Sequence, residues 1–150
     1  MANISPDLGG FNMDYIHGIE SDYGRNPKAM KPNKAKALGP YQITPIAWKD
    51  LQQQYPERYG KANYAQTVLD PMASRWAAWD MTRLNARYLK NLGVPVTEEN
   101  LAAAYNMGAG GVHAAGANIN NYPAETQKYI QKYRALKANG VKTQAIKGGK

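Results

Sequence analysis

The sequence predicts an all-α fold, and three observations carry that expectation. Apolar residues recur at spacings of three and four in several stretches. No run of useful length alternates at period two. Most of the periodic stretches open on a capping residue or a proline and close on a glycine. With 150 residues and 43% hydrophobic content, the chain suits one domain with one packed core.

The elements follow in order. Ser5-Pro6-Asp7 reads as a helix start, with Leu8, Phe11, Tyr15, Ile16 and Ile19 on its apolar stripe and Gly24 as its stop. Residues 24–42 are rich in Gly, Pro, Asn and Lys and read as an irregular loop or small hairpin. Thr44-Pro45 caps a second helix carrying Ile46, Trp48, Leu51 and Tyr55. Asp70-Pro71 opens the longest helix, with Trp76, Trp79, Leu84, Tyr88 and Leu89, closed by Gly93. Thr97 precedes Glu98-Glu99, acids suited to a helix N-terminus, and the small apolar helix 100–107 stops at Gly108-Ala109-Gly110-Gly111. Tyr122-Pro123 opens a last helix with Tyr129, Ile130, Tyr133 and Leu136 on one stripe. The expected organisation is a domain over 1–137 and a basic flexible tail over 138–150, where Gly, Lys and Thr take over.

Charge and composition narrow the function. A formal charge of +8 favours an anionic polymer as partner: nucleic acid, an acidic lipid surface or bacterial wall. The absence of cysteine excludes disulfide and thiolate chemistry, and with only two histidines no structural zinc site is expected. Eleven Tyr and three Trp against one Phe supply rings with an apolar body and a polar tip, which suit a sugar- or base-lined groove, although most are expected at core edges. The N-terminus has no basic region followed by an apolar run, so no secretory signal is expected, and no stretch approaches membrane-spanning length.

Glu20 is the candidate for acid/base chemistry. It follows Ile19 at the end of the first apolar stripe, where the chain enters a turn-rich segment. A carboxyl half-sheltered by apolar groups keeps its proton to higher pH, the condition for a general acid near neutrality. Three further segments accompany it. Ile19-Glu20-Ser21-Asp22-Tyr23-Gly24-Arg25-Asn26-Pro27 is followed by Ala37-Leu38-Gly39-Pro40-Tyr41-Gln42-Ile43, then by Ala103-Ala104-Tyr105-Asn106-Met107-Gly108-Ala109-Gly110-Gly111-Val112, and last by Asn121-Tyr122-Pro123-Ala124-Glu125-Thr126-Gln127-Lys128-Tyr129-Ile130. In this order and at these separations the set resembles the soluble lytic transglycosylase family, whose catalytic domain has a goose-type lysozyme-like fold. The resemblance covers about residues 10–135.

The resemblance implies a site. Glu20 matches the family's catalytic acid/base. Gln42 matches the glutamine that closes the Gly-x-x-Gln turn and faces the sugar cleft. Tyr105 and Asn106 match the Ala-Tyr-Asn pair, and Glu125 the acid of the Pro-x-Glu-Thr segment bordering the cleft. Ser21 and Tyr41, inside the first two segments, join the set expected to contact substrate. The family usually has a serine between its Asn-Pro and its Gly-x-x-Gln. Here that stretch runs from Lys28 to Lys36 without one, and Asn33 is the candidate for its polar contact. Pro40-Tyr41 also stands where family members often have Leu-Met.

The resemblance further implies cleavage of the MurNAc-GlcNAc β-1,4 bond of peptidoglycan glycan strands, with no cofactor. Ordinary glycoside hydrolysis wants two carboxylates. Asp22 points elsewhere if the helix continues, and Asp50, Asp70 and Asp80 fall on predicted polar or capping positions. One acid suffices if the substrate supplies the nucleophile. Glu20 would protonate the glycosidic oxygen and then take the proton of the muramic 6-hydroxyl, closing a 1,6-anhydro ring. A muramidase of the same fold that uses water remains the alternative at this point.

Other readings are weaker. Asp14, His17 and Glu20 share a helix face but lack the second histidine of familiar zinc motifs. Gly108–Gly111 is not a phosphate loop, since no Gly-Lys-Ser/Thr follows. Lys28, Lys31, Lys34 and Lys36 would also suit a nucleic-acid module, or a silent wall-binding protein, but neither needs Glu20 or the Tyr105-Asn106 segment. The expectation is a monomer acting on the cell wall without a membrane span. With no signal read, it would be carried there by a phage particle, a lysis system or a secretion machine.

Overall fold

The computed structural model describes residues 8–32 and 36–139, and among them it has eight α-helices, two short 3-10 turns and no strand. Among the described residues extended pairing is confined to one isolated antiparallel bridge, Leu38 with Ile43, so the described parts of 24–42 form no regular hairpin. The helices are α1 (Met13–Ser21), α2 (Pro45–Gln54), α3 (Pro56–Tyr59), α4 (Tyr64–Leu69), α5 (Pro71–Asn91), α6 (Glu98–Met107), α7 (Ala109–Ala114) and α8 (Ala124–Asn139). None of them is long and apolar enough to cross a membrane. The described residues form two compact units, one within 16–81 and one from those before residue 16 together with those from 82 to 139.

The expected start at Ser5-Pro6-Asp7 lies outside the described residues, and the first helix begins later, at Met13. Gly9 and Gly10 keep the chain turning before it, with φ of +60° and +85°. A Cβ at Gly9 would sit 2.9 Å from the Val96 carbonyl oxygen, so only glycine fits there. Asn12 then caps α1, its Oδ1 accepting from Asp14 N at 2.9 Å.

In the unit that holds the end of the chain, α6 packs against α7 and α8. The run Leu101–Ala104 is buried, and its small side chains let α6 sit deep among its neighbours. Tyr133 of α8 is the hub. It is fully buried, stacks on Phe11 with ring centres 6.0 Å apart and meets Tyr15 edge-on at 5.1 Å. Its hydroxyl accepts from Asn12 N and donates to Glu98 Oε1, both at 3.0 Å. Burial and the Glu98 carboxylate push this phenol's pKa up, so it stays a donor at all ordinary pH. α8 continues through Asn139, past the expected limit at 137, and residues 140–150 lie outside the described residues.

In the other unit, Thr44 and Asp70 cap α2 and α5 as expected, accepting from Ala47 N at 3.1 Å and Ala73 N at 2.7 Å. Trp48 is buried and meets the rings of Tyr59 and Tyr64 edge-on. Asp80 corrects the sequence reading. It is 3% exposed rather than on a polar face, and accepts from Tyr59 Oη at 2.5 Å and Arg58 Nη1 at 2.7 Å. A buried carboxylate needs such partners, and Arg58 reaches it from α3, a helix that the sequence reading did not separate from α2. Trp76 is also a correction, since it stands 60% exposed one turn from exposed Met72, while the buried positions of α5 in this unit are, besides Asp80, small: Ser74, Ala77 and Ala78.

Candidate active site

Glu20 occupies the last turn of α1, half-buried, one residue before the helix ends. The helix stops because the chain turns left-handed for three residues: Asp22, Tyr23 and Gly24 have φ of +51°, +60° and +80°. Two of these are not glycine, and each such conformation costs about 1–2 kcal/mol. Local bonds hold the turn. Ser21 Oγ accepts from Gly24 N at 2.8 Å and donates to the His17 carbonyl at 3.3 Å, while Tyr23 N donates to the same carbonyl at 3.2 Å. Asp22 does not continue the helix as a second acid beside Glu20; it pairs with Arg25 at 2.8 Å on the exposed turn. The turn folds Tyr23 back over α1. A Cβ at Gly18 would lie 2.7 Å from Tyr23 Cζ and Oη, so Gly18 makes room for that ring two residues before Glu20.

The Gly39-Pro40-Tyr41-Gln42 turn is closed by Gln42 N donating to Gly39 O at 3.0 Å. Gly39 has φ of +89°, and a Cβ there would lie 1.9 Å from the Val68 carbonyl oxygen. Gln42 itself is left-handed, with φ of +50°. Its side-chain Nε2 turns back to donate to two carbonyls, Ala29 at 3.1 Å and Gly39 at 3.0 Å. The glutamine is therefore a clasp that holds this turn to the 3-10 turn Pro27–Met30. Tyr41 is 2% exposed. Its ring stacks on His17 at 4.6 Å and its hydroxyl accepts from Arg75 Nη1 at 3.0 Å. Because His17 stands one turn before Glu20 on α1, this stack braces the helix end that carries the acid.

The second cluster belongs to the other unit. Asn106 lies in the last turn of α6 beside half-buried Tyr105. Thr126 Oγ1 donates to Asn106 Oδ1 at 2.7 Å, which fixes the amide so that Nδ2 donates to Glu125 Oε2 at 3.2 Å. Thr126 is 1% exposed and Glu125 is exposed, so a buried hydroxyl sets the direction of a solvent-facing amide and carboxylate. Gly108, with φ of +86°, breaks the helix after Met107.

The expected site residues thus fall into two groups. Glu20, Ser21, Tyr41 and Gln42 belong to the unit 16–81, and Tyr105, Asn106 and Glu125 to the other. Asn33 lies outside the described residues. Ser21 and Tyr41, expected to contact substrate, are buried with their hydroxyls on protein partners. Thr126 and His17 are the additions. Thr126 stood in a quoted segment beside Glu125, and His17 was weighed only with Asp14 and Glu20 as a metal set, whereas Tyr41 covers its ring. Among the described residues no three His, Asp or Glu side chains group to hold a metal ion.

A family model described as the transglycosylase SLT domain matches residues 14–130, a stretch that contains every described site residue. Comparison with curated proteins and with solved structures gave no match.

Proposed function

The chain belongs to the transglycosylase SLT domain family, and from that premise we propose that it cleaves the MurNAc-GlcNAc β-1,4 bond with Glu20 as its single acid/base, releasing 1,6-anhydro-MurNAc. Membership carries the general activity, lytic-transglycosylase cleavage of peptidoglycan. The assignment of steps to residues is our reading.

The observation that supports a single acid is that three of the five other carboxylates of Glu20's unit are held in structural roles. Asp22 is paired with Arg25, Asp70 caps α5, and Asp80 is buried against Tyr59 and Arg58. Glu20 lies in the last turn of a helix braced by the Tyr23 ring on Gly18 and by the His17–Tyr41 stack. A braced acid holds its place while the sugar moves through the reaction. Glu20 donates its proton to the glycosidic oxygen as the C1–O bond breaks. The carboxylate left behind then accepts the proton of the muramic 6-hydroxyl as that oxygen bonds to C1. Atoms and charge balance without an entering water. Asn106 and Glu125 present a donor and an acceptor suited to glycan hydroxyl and amide groups. Gln42 serves by fixing the loop above the acid's helix end rather than by a direct bond from Nε2.

The test is mass spectrometry of muropeptides released from purified walls by the native chain and by Glu20→Gln. We expect products lighter by one water than hydrolytic muropeptides, and a loss of about a hundredfold or more in Glu20→Gln with folding retained. Products of full hydrolytic mass refute the intramolecular closure, and near-normal activity in Glu20→Gln refutes the acid.

A further inference from the structure

A cavity of about 310 Å³ lies in the unit formed by the chain's end, away from the Asn106–Glu125 cluster. Asn100 lines it at the start of α6, six residues before Asn106, which is about 9 Å along the helix axis. Asn118, Ile119 and Tyr122 line it from the segment between α7 and α8, and Ile130 and Arg134 from α8. No residue of the proposed reaction belongs to it.

Its polar groups are set rather than loose, and each keeps capacity unspent. Arg134 gives Nε and Nη2 to Glu99 at 2.6 and 2.7 Å, and its Nη1 has no protein partner among the described residues. Asn118 Oδ1 accepts from Asn120 N at 3.0 Å, which leaves its Nδ2 as a donor without a protein acceptor among them. Asn100 Nδ2 donates to the Pro95 carbonyl at 2.8 Å, which leaves its Oδ1 as an acceptor. Besides the Glu99 carboxylate, the cavity therefore offers two donors and one amide acceptor, with Ile119 and Ile130 as apolar wall and the Tyr122 ring beside them.

Charge decides between ligand classes. The Arg134 guanidinium holds the Glu99 carboxyl below the usual carboxylate range, so the pair stays ionised and self-neutralised. An anionic ligand would meet Glu99 as closely as Arg134, and a cation the reverse, so a neutral ligand fits best. Size then limits it, because ligand pockets run from about 300 to 1,000 Å³ and this one is at the small end, room for one sugar ring. An acetamido group matches the remaining features: its carbonyl takes the two donors, its N–H finds Asn100 Oδ1, and its methyl lies on the isoleucines.

We infer that this cavity is a second glycan site that holds one N-acetylated hexosamine by its acetamido group. The choice of sugar rests on the peptidoglycan reading above, and the donor and acceptor set does not. Such a site anchors a strand independently of the bond being cut, which would help the enzyme hold an insoluble polymer between cleavages.

The test titrates N-acetylglucosamine, and glucose in parallel, into the full isotope-labelled chain and follows backbone amide NMR shifts. N-acetylglucosamine is expected to shift Asn100, Asn118, Ile119 and Arg134 saturably, and glucose is not. Asn118→Asp keeps the Oδ1 that caps the turn and removes the donor. Arg134→Lys keeps the charge on Glu99 and removes Nη1. Each should weaken binding about tenfold without lowering the melting temperature by more than a few degrees. Shifts confined to Glu20, Tyr105 and Asn106, equal binding of glucose, or unweakened binding in both variants would overturn the site. The same titration in Glu20→Gln keeps the two readings apart. If that variant stays active while the cavity still binds, the acid assignment fails alone. If it is inactive and the cavity shows no shifts, the second site fails alone.

Discussion

Gln42→Ala separates a side chain that binds sugar from one that builds the loop. The native Nε2 makes two bonds, to Ala29 O and Gly39 O at 3.1 and 3.0 Å. Each is worth about 0.5–1.5 kcal/mol net. Both acceptors keep a backbone donor after the change, since Gly39 N reaches Ala29 O at 2.7 Å and Gln42 N reaches Gly39 O at 3.0 Å. No carbonyl is left bare, so the loss belongs near the low end, about 1–2 kcal/mol in total. For a chain of this size that is a fall of about 2–8 °C in melting temperature. Gln42→Gly loses the same two bonds but relieves the left-handed backbone at φ of +50°. That relief, about 1–2 kcal/mol, exceeds the extra chain entropy of glycine, about 0.4–1 kcal/mol, so the glycine variant should melt at or above the alanine variant. The assay is thermal unfolding of both variants, with wall-clearing activity measured at least 15 °C, in round figures about two such shifts, below the lower midpoint. An unchanged midpoint in Gln42→Ala with lost activity refutes the clasp and restores a direct sugar contact. A glycine variant that melts clearly below alanine refutes the strain argument.

Four further outcomes are expected. Gly18→Ala places a Cβ 2.7 Å from Tyr23 Cζ and Oη, so activity should fall as the Tyr23 ring is displaced, and adding Tyr23→Ala should recover part of it in the same wall assay. Asp80→Ala strands the buried Tyr59 hydroxyl and should cost about 1.5–3 kcal/mol by denaturant titration, with little further loss when Tyr59→Phe is added. Glu99 has its pKa lowered, chiefly by the Arg134 hydrogen bond, so its stabilising effect is present above the unfolded value and lost as pH falls through the folded one. Glu99→Gln should therefore cost at most about 1 kcal/mol near neutrality, because the pair is half exposed, and the gap to the native chain should close as pH drops below 4.5, read from melts across a pH series. Neutralising exposed Lys28, Lys31 and Lys36 to glutamine should slow attack on whole walls at low salt and leave it nearly unchanged at high salt, since screening shortens their reach to about 8 Å at physiological ionic strength.

Local chemistry was legible in the chain and tertiary commitment was not. Thr44, Asp70 and Thr97 declare their helices because a cap is satisfied by a backbone N–H two or three residues away. The helices α3 and α4 were missed because four and six residues hold too little periodicity, though Pro56 and the Asn63 cap marked their starts. Gly108 to Gly111 read as one stop, yet Gly108 alone breaks the chain and Gly110 and Gly111 lie inside α7. The candidates Glu20, Gln42 and Asn106 came from ordered segments. Which way each polar side chain turns was hidden, because that depends on partners such as Ala29, Arg75 and Thr126, which lie 13 to 34 residues distant in the chain.

The bonds around Tyr133 also decide where the chain can be joined to something else. Glu98 Oε2 would lie 3.9 Å from a Cβ at Gly10 and is paired with the Lys137 ammonium, so residues 10 and 137 flank one carboxylate. Allowing for the lysine side chain, their backbones are on the order of 10–13 Å apart, a span that about four extended residues cover. The segment between them can therefore be grafted into a surface loop of a host protein through two short connectors, with neither end pulled from its seat. The same closeness permits a circular permutant that joins residue 137 to residue 10 and opens new termini at the exposed 3-10 turn near Asn120, leaving α1 and its acid inside an unbroken stretch of chain.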